Sequence, residues 1–356
     1  MDESINYAMP GHTPSKEMEE LNKLILPVNP PEKKLGIALV GLGKYCTDQI
    51  APALQHTKFC ALKAIVTGSP VKIAFWKNLY NIPDTHIYTY DNFEKIADNP
   101  DIDIVYILLP NALHAEYVIR AAATGKHVIC EKPMAVSVEE CDQMIEACKN
   151  AGKLLSIGYR LHYDPNHIEV IRVSQEKVFG KITYVHAQHA ISNMNGWRLE
   201  KKLSGGGPLM DLGIYCLQAA QYISNEELES VYVTDMKPLP GHDIEQSLSW
   251  EMTFRCGLIA KCETSYKYDM NLLHSQGEHG WIQLSPAFSY KDITGKTATG
   301  FLKFPVVNQQ ALQMDDFAKS ILEHKPVKLP GEMGRRDLKI ITAIYKSMET
   351  KSRVRL

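Results

Sequence analysis

Between Leu35 and Ile157 short apolar runs alternate with longer amphipathic stretches. The runs Gly36–Val40, Ala61–Val66, Ile104–Leu108, Val128–Cys130 and Leu154–Ile157 are continuous in apolar character, as strands covered on both faces must be. Ile87–Tyr88 is a weaker run of the same kind. Helical spacing marks Ala112–Thr124, stopped by Gly125, and Val138–Ala151, where Ser137 and Glu140 predict a capping box. Strands and helices in alternation predict a parallel, doubly wound sheet over residues 35–155.

The second half follows a different period. Leu248, Trp250, Met252 and Phe254 alternate with polar residues, as do Ala260, Cys262, Thr264 and Tyr266. Period two in successive segments predicts an antiparallel sheet with one face more buried. Ile182–Ala190 and Val231–Val233 add strands, and Pro208–Ile223 and Gln310–Glu323 add helices. The fold class is therefore α/β, an N-terminal doubly wound parallel sheet followed by an α+β domain with a large, mainly antiparallel open sheet over residues 156–356. Residues 1–34 read as an extended arm closed by Pro27, Pro30 and Pro31, with room for a helical turn around Glu17–Leu26.

Composition narrows the class. At 356 residues, 45% hydrophobic and 22% charged, the chain can build two cores. A formal charge of −2 gives no attraction to nucleic acid or anionic lipid. No apolar run reaches membrane-spanning length and no signal-peptide core is visible, so a cytoplasmic location is expected, or a periplasmic one if the chain is a mature form. The eight cysteines lack paired or His-clustered spacing, which argues against structural metal or disulfides.

The chemistry begins at Gly41-Leu42-Gly43-Lys44-Tyr45-Cys46, directly after the first strand. Two glycines at this spacing permit a tight turn and close approach to a pyrophosphate resting on a helix start. Cys46 stands where a third glycine is usual. The second strand ends at Val66-Thr67-Gly68-Ser69 with no acid for ribose hydroxyls; Thr67, Ser69 and Lys72 suit a 2′-phosphate, so NADP is expected over NAD. Lys72 would serve equally as a solvated helix lysine, and the missing acid carries more of that inference. Leu109-Pro110-Asn111 with His114 follows the fourth strand, and Glu131-Lys132-Pro133 the fifth. Both lie at carboxyl ends of strands, where such sheets bind ligands. Asp211 and Tyr215 follow Gly205-Gly206-Gly207-Pro208, a helix start that puts positions i and i+4 on one face. A carboxylate and a phenol so placed suit proton transfer from a substrate hydroxyl.

With these motifs the chain resembles the glucose–fructose oxidoreductase / inositol dehydrogenase / rhizopine-catabolism family. The matching residues are Gly41-Leu42-Gly43-Lys44-Tyr45, Leu109-Pro110-Asn111, Glu131-Lys132-Pro133, Gly158-Tyr159-Arg160, Trp197-Arg198-Leu199 and Gly205 through Tyr215, with Asn308-Gln309 and Pro330-Gly331-Glu332 further on. Tyr rather than His four residues after Asp211 looks most like the glucose–fructose oxidoreductase branch. The resemblance implies a Rossmann domain and hydride transfer between nicotinamide C4 and a pyranose carbon, oxidising an aldose to its lactone or coupling that step to reduction of a second sugar. It makes Lys132, Asp211 and Tyr215 the catalytic group. A free phenol titrates near 10 and a cation beside it favours the ionised form. Lys132 would also bond the developing alkoxide, while Asp211 orients sugar or lysine. Tyr159, Arg160, Tyr163, Trp197 and Arg198 are expected to line the same cleft, Tyr159 and Tyr163 toward substrate and Arg160, Trp197 and Arg198 toward cofactor. In that branch a Pro-rich arm embraces a neighbour and retains NADP. The present chain is accordingly expected to be a homodimer or homotetramer through its C-terminal sheet, with Val231, Val233, Trp250 and Met252 on one face or the other. An NAD-dependent glycosidase of the same family and a non-catalytic dinucleotide-binding regulator remain alternatives.

Overall fold

The computed structural model describes residues 15–25 and 31–356. The arm expected over residues 1–34 lies largely outside this range, but a helix does form at Lys16–Ile25, with Met18, Leu21 and Leu24 buried along one face. Among the described residues no helix is long and apolar enough to cross a membrane.

The chain divides into two compact units. The first holds strands β1 (Leu35–Val40), β2 (Cys60–Val66), β3 (Ile87–Tyr88), β4 (Ile104–Ile107), β5 (His127–Cys130) and β6 (Leu155–Ile157). They pair in parallel in the order β3-β2-β1-β4-β5-β6. The order reverses between β1 and β4, so a crevice for ligands opens at their carboxyl ends. Ser137 caps Val138–Asn150 through Glu140 N–H, yet the Glu140 carboxylate turns back one residue further, to Val136 N–H at 3.0 Å. The capping box is thus half formed.

This unit runs to Arg160 and then takes up Asn308–Leu338, which a sequence reading assigns to the second domain. The reason is packing. Helix Gln309–Leu322 places Met314, Phe317 and Ala318 in one core with Ile37, Ile50, Phe59, Cys60 and Ile129. Its Asp315 accepts the backbone N–H groups of Lys58 and Phe59. Trimming Phe317 to Ala would cost about 3–5 kcal/mol by the usual cavity cost.

The second unit holds a sheet of β7 (Ile182–Ala190), β8 (Leu228–Pro238), β9 (Glu245–Phe254), β10 (Ile259–Ser265), β11 (Met270–Gly277), β12 (Gly280–Leu284), β13 (Gly295–Thr297), β14 (Gly300–Phe301) and β15 (Val354–Arg355). The order is β14-β13-β12-β11-β7-β10-β9-β8-β15, antiparallel throughout except for β7 beside β10. Leu248, Trp250, Met252, Phe254, Ala260, Cys262, Thr264 and Val231 all fall on one face and are buried. Helices Pro165–Gln175 and Ile214–Ser224 cover that face, and Lys16–Ile25 packs on Pro165–Gln175. The opposite face carries Tyr184, His186, Glu251, Lys261, Glu263 and Trp281, all incompletely buried. All eight cysteines are free thiols, and all but Cys256 are buried.

Candidate active site

At the end of β1 the chain turns at Gly41, with φ of +91°. A side chain there would meet Leu108 O at 2.9 Å and Leu109 Cδ2 at 2.8 Å, so glycine is required twice over. Gly43 is the opposite case: a Cβ would meet nothing within 4 Å, because the backbone faces open space. A helix starts at Lys44 and passes through a widened, π-wound turn at Cys46–Ile50. Tight turn, open face and helix start together fit the pyrophosphate of a dinucleotide. Cys46 is fully buried against the sheet, so a thiol fills the space usually left to glycine, and burial pushes its pKa up. Lys44 leans on Asp48 at 2.7 Å in solvent.

The 2′-phosphate reading of Thr67 and Ser69 needs qualification. Ser69 caps helix Pro70–Tyr80 by accepting Lys72 N–H, and Thr67 Oγ1 accepts Ser69 N–H. Both hydroxyl oxygens therefore serve the turn, leaving their hydrogens to point elsewhere. Thr67 is buried, while the Lys72 side chain is exposed. No acid follows β2, as the sequence indicates.

The loops after β4 and β5 are tied by His114. Its Nε2 lies 2.9 Å from Leu109 O and its Nδ1 2.9 Å from Pro133 O, with the ring 1% exposed. Burial holds it below the ordinary histidine pKa. The expected cofactor contact at His114 is thus corrected: it staples Leu109-Pro110-Asn111 to Glu131-Lys132-Pro133. The Lys132–Pro133 peptide is cis. Glu131 is also turned inward, accepting Tyr106 Oη–H at 2.7 Å, and Tyr106 in turn accepts Gln313 Nε2–H at 3.2 Å. Burial raises the Glu131 carboxyl above its usual pKa. A side chain at Gly158 would strike that carboxylate at 2.7 Å. Lys132 is half-buried, next to this pair in sequence.

Two expected cleft residues serve the interior instead. Tyr159 is buried with its phenol bonded to Asp337, and Arg160 is buried with a guanidinium bond to Gln309. Both partners come from Asn308–Leu338, a segment whose return to this unit the sequence pattern does not announce. Tyr163 is likewise buried, whereas Trp197 is half-buried.

In the second unit the glycine run leads into a π-wound turn, Leu209–Gly213, that continues as helix Ile214–Ser224. Asp211 sits in the first part. Its Oδ2 accepts Arg198 Nε–H at 2.9 Å and lies 3.4 Å from Tyr266 Oη. Arg198 stacks on Trp197 at 4.7 Å. Arg198 is therefore engaged with Asp211, where the sequence reading gave it to cofactor. Tyr215 faces a different group: the His189 ring at 5.3 Å, edge on, and the Phe288 ring at 6.1 Å. Phe288 is held by its loop, since Asn271 Oδ1 accepts the N–H groups of Ala287 and Phe288 at 2.7 Å each, and Ala287 O lies 2.7 Å from His167 Nε2. Tyr266, His189 and Phe288 escape a motif search. Tyr266 at least extends the alternation of β10, which puts it on the helix-covered face with Asp211.

Comparison with known proteins agrees with this architecture. Residues 35–159 match the model of the oxidoreductase family with an NAD-binding Rossmann fold, and residues 167–283 match the GFO/IDH/MocA C-terminal domain. The structure of aldose-aldose oxidoreductase from Caulobacter crescentus is 37% identical, covers 91% of this chain and 100% of its own, and superposes with a TM-score of 0.88. D-xylose 1-dehydrogenase [NADP(+)] of Haloarcula marismortui is 28% identical over 339 residues, 90% of this chain and 92% of that protein. D-glucoside 3-dehydrogenase of Escherichia coli is 28% identical over 280 residues, 71% of this chain and 79% of that protein. The parallel dinucleotide-type sheet, the open antiparallel sheet and these matches make the chain a member of the Gfo/Idh/MocA oxidoreductase family.

Proposed function

We propose that the chain is an NADP-dependent sugar oxidoreductase that oxidises a pyranose, as an aldose dehydrogenase or as a sugar–sugar oxidoreductase. The observation that carries the reading is the helix Leu209–Ser224, which holds a carboxylate paired to arginine and, four residues on, a phenol set between aromatic rings. The absence of an acid after β2 supports NADP over NAD, as do relatives named for NADP. Bound NADP would supply the hydride acceptor at nicotinamide C4. Tyr215 would take the proton from the sugar hydroxyl, and Lys132 would supply the cation that favours the phenolate and bonds the alkoxide. Asp211, held by Arg198, would accept a neighbouring sugar hydroxyl and fix the ring. Gly41, Gly43 and the helix start at Lys44 would hold the pyrophosphate.

The test is NADPH formation at 340 nm with xylose and glucose, followed by release of a second, reduced sugar when no free NADP is present. Absence of both across common aldoses would overturn the reading. Oxidation at C3 rather than C1 is a second reading, favoured by the glucoside dehydrogenase among the relatives. A methyl glycoside, which cannot form a lactone, separates the two. Assembly through the open sheet face remains part of the proposal, because Tyr184 and Trp281 stand half-exposed there.

A further inference from the structure

A helix start leaves backbone N–H groups without intrahelical partners. Usually a local Ser, Asp or Asn side chain accepts them. Here the residue before the helix is Pro208, which offers no such cap. The acceptor comes instead from the first residue of β9. Glu245 Oε2 accepts Gly207 N–H at 3.1 Å and Oε1 accepts Leu209 N–H at 3.1 Å. Tyr345 Oη–H donates to the same Oε1 at 3.1 Å. The carboxylate is 4% exposed. Burial raises its pKa, and the bonds from Leu209, Tyr345 and Gly207 pull it down.

We propose that Glu245 and Tyr345 are positioning residues, which set the height and rotation of the helix that presents Asp211 and Tyr215. The role rests on the function proposed above. The glycine run supports it directly. A Cβ on Gly207 would fall 2.4 Å from Glu245 O, and one on Gly206 would fall 2.0 Å from Tyr345 Oη. These glycines are therefore small so that a carboxylate and a phenol can reach the helix start. A buried carboxylate with three donors cannot move without stranding charge, so the helix start is held as firmly as the strand that bears Glu245. A second tie runs parallel: Thr264 Oγ1 lies 2.9 Å from His189 O and 3.2 Å from Pro208 O. It joins the helix start to the strand residue that faces Tyr215. Neither Glu245 nor Tyr345 touches the reacting groups in this account; both act through the helix.

The experiment compares full-length Tyr345→Phe, Glu245→Gln and Glu245→Ala with the parent. Sugar turnover, NADPH binding by fluorescence, thermal midpoint and amide exchange at Gly207 and Leu209 are measured on each. Since small misplacements of reacting groups are costly, kcat should fall about tenfold in Tyr345→Phe and about a hundredfold in Glu245→Ala. NADPH affinity should stay within about twofold, and Glu245→Gln, which keeps an acceptor, should recover about tenfold over Glu245→Ala. Parental kcat in folded Tyr345→Phe and Glu245→Gln would overturn the proposal, whether or not Glu245→Ala folds. A parent that turns over no sugar would refute the proposed function alone. Amide exchange then decides the anchoring: faster exchange at Gly207 and Leu209 in Glu245→Gln supports it, and parental exchange overturns it.

Discussion

Arg198 Nε lies 2.9 Å from Asp211 Oδ2, and the same guanidinium rests on the Trp197 ring. Asp211 Oδ2 is also 3.4 Å from Tyr266 Oη, so arginine and phenol converge on one oxygen. Burial and the neighbouring Asp211 push the Tyr266 phenol well above its ordinary pKa, which keeps it a donor. The carboxylate is thereby aimed by two residues that no motif names. Arg198→Met should cost about 1–3 kcal/mol of stability, the usual loss when a charged hydrogen bond is removed. Combined with Tyr266→Phe, it should show a coupling on the order of 1 kcal/mol in a double-mutant cycle by urea titration. Strict additivity would mean the two do not share Asp211.

Tyr215→Phe removes the proposed base while leaving the ring between His189 and Phe288. Turnover should fall by about a hundredfold or more, with the thermal midpoint nearly unchanged. Lys132→Met should show a comparable loss with cofactor still bound, read as unchanged NADPH fluorescence titration. Near-parental turnover in either variant would remove that residue from the mechanism.

Cofactor choice is tested at Thr67. An aspartate there would put a carboxylate at the end of β2, where a 2′-phosphate is expected. The ratio of kcat/KM for NADP over NAD should drop by about tenfold or more, the effect of one uncompensated charge contact. A parent protein using both cofactors equally would contradict the role given to Thr67, Ser69 and Lys72.

The described core also makes a pH prediction. His127 Nδ1 accepts Leu154 N–H at 3.1 Å, and burial together with Lys153 lowers its pKa to about 4. In the unfolded chain it titrates near 6.5. Between these values the unfolded state binds the proton that the folded state refuses. Stability from this group is therefore full above about 6.5 and lost as pH falls toward about 4. Thermal midpoints should decline over that window in the parent and decline less in His127→Asn. Parallel curves would show that His127 does not contribute.

Both sheets were legible because their periods differ: continuous runs such as Ile104–Ile107 against alternation such as Leu248–Phe254. The glycines at 41 and 43, and Asp211 with Tyr215, stand in local motifs and could be read the same way. What could not be read depends on distant chain segments meeting. Asp315 joins the loop at Lys58, Gln313 reaches Tyr106, and Asp337 takes the phenol of Tyr159. Each is a polar residue on a helix whose pattern reveals an apolar face but not which sheet it will cover. For the same reason His114, Tyr159 and Arg160 looked like ligand groups, since a sequence does not show which polar side chains will be satisfied internally.

The widened turn at Leu209–Gly213 has a consequence for how this chain can change length. A π-wound turn amounts to one residue inserted into an α-helix. Losing one residue there would restore ordinary winding and rotate all that follows by about 100°, the angle of one helical position. Tyr215 would swing away from His189 and Phe288, while Asp211, on the near side, would keep Arg198. Single-residue deletions between Leu209 and Gly213 should thus leave a foldable helix with its two functional residues out of phase, whereas loops such as that around Gly241 can shorten without moving either.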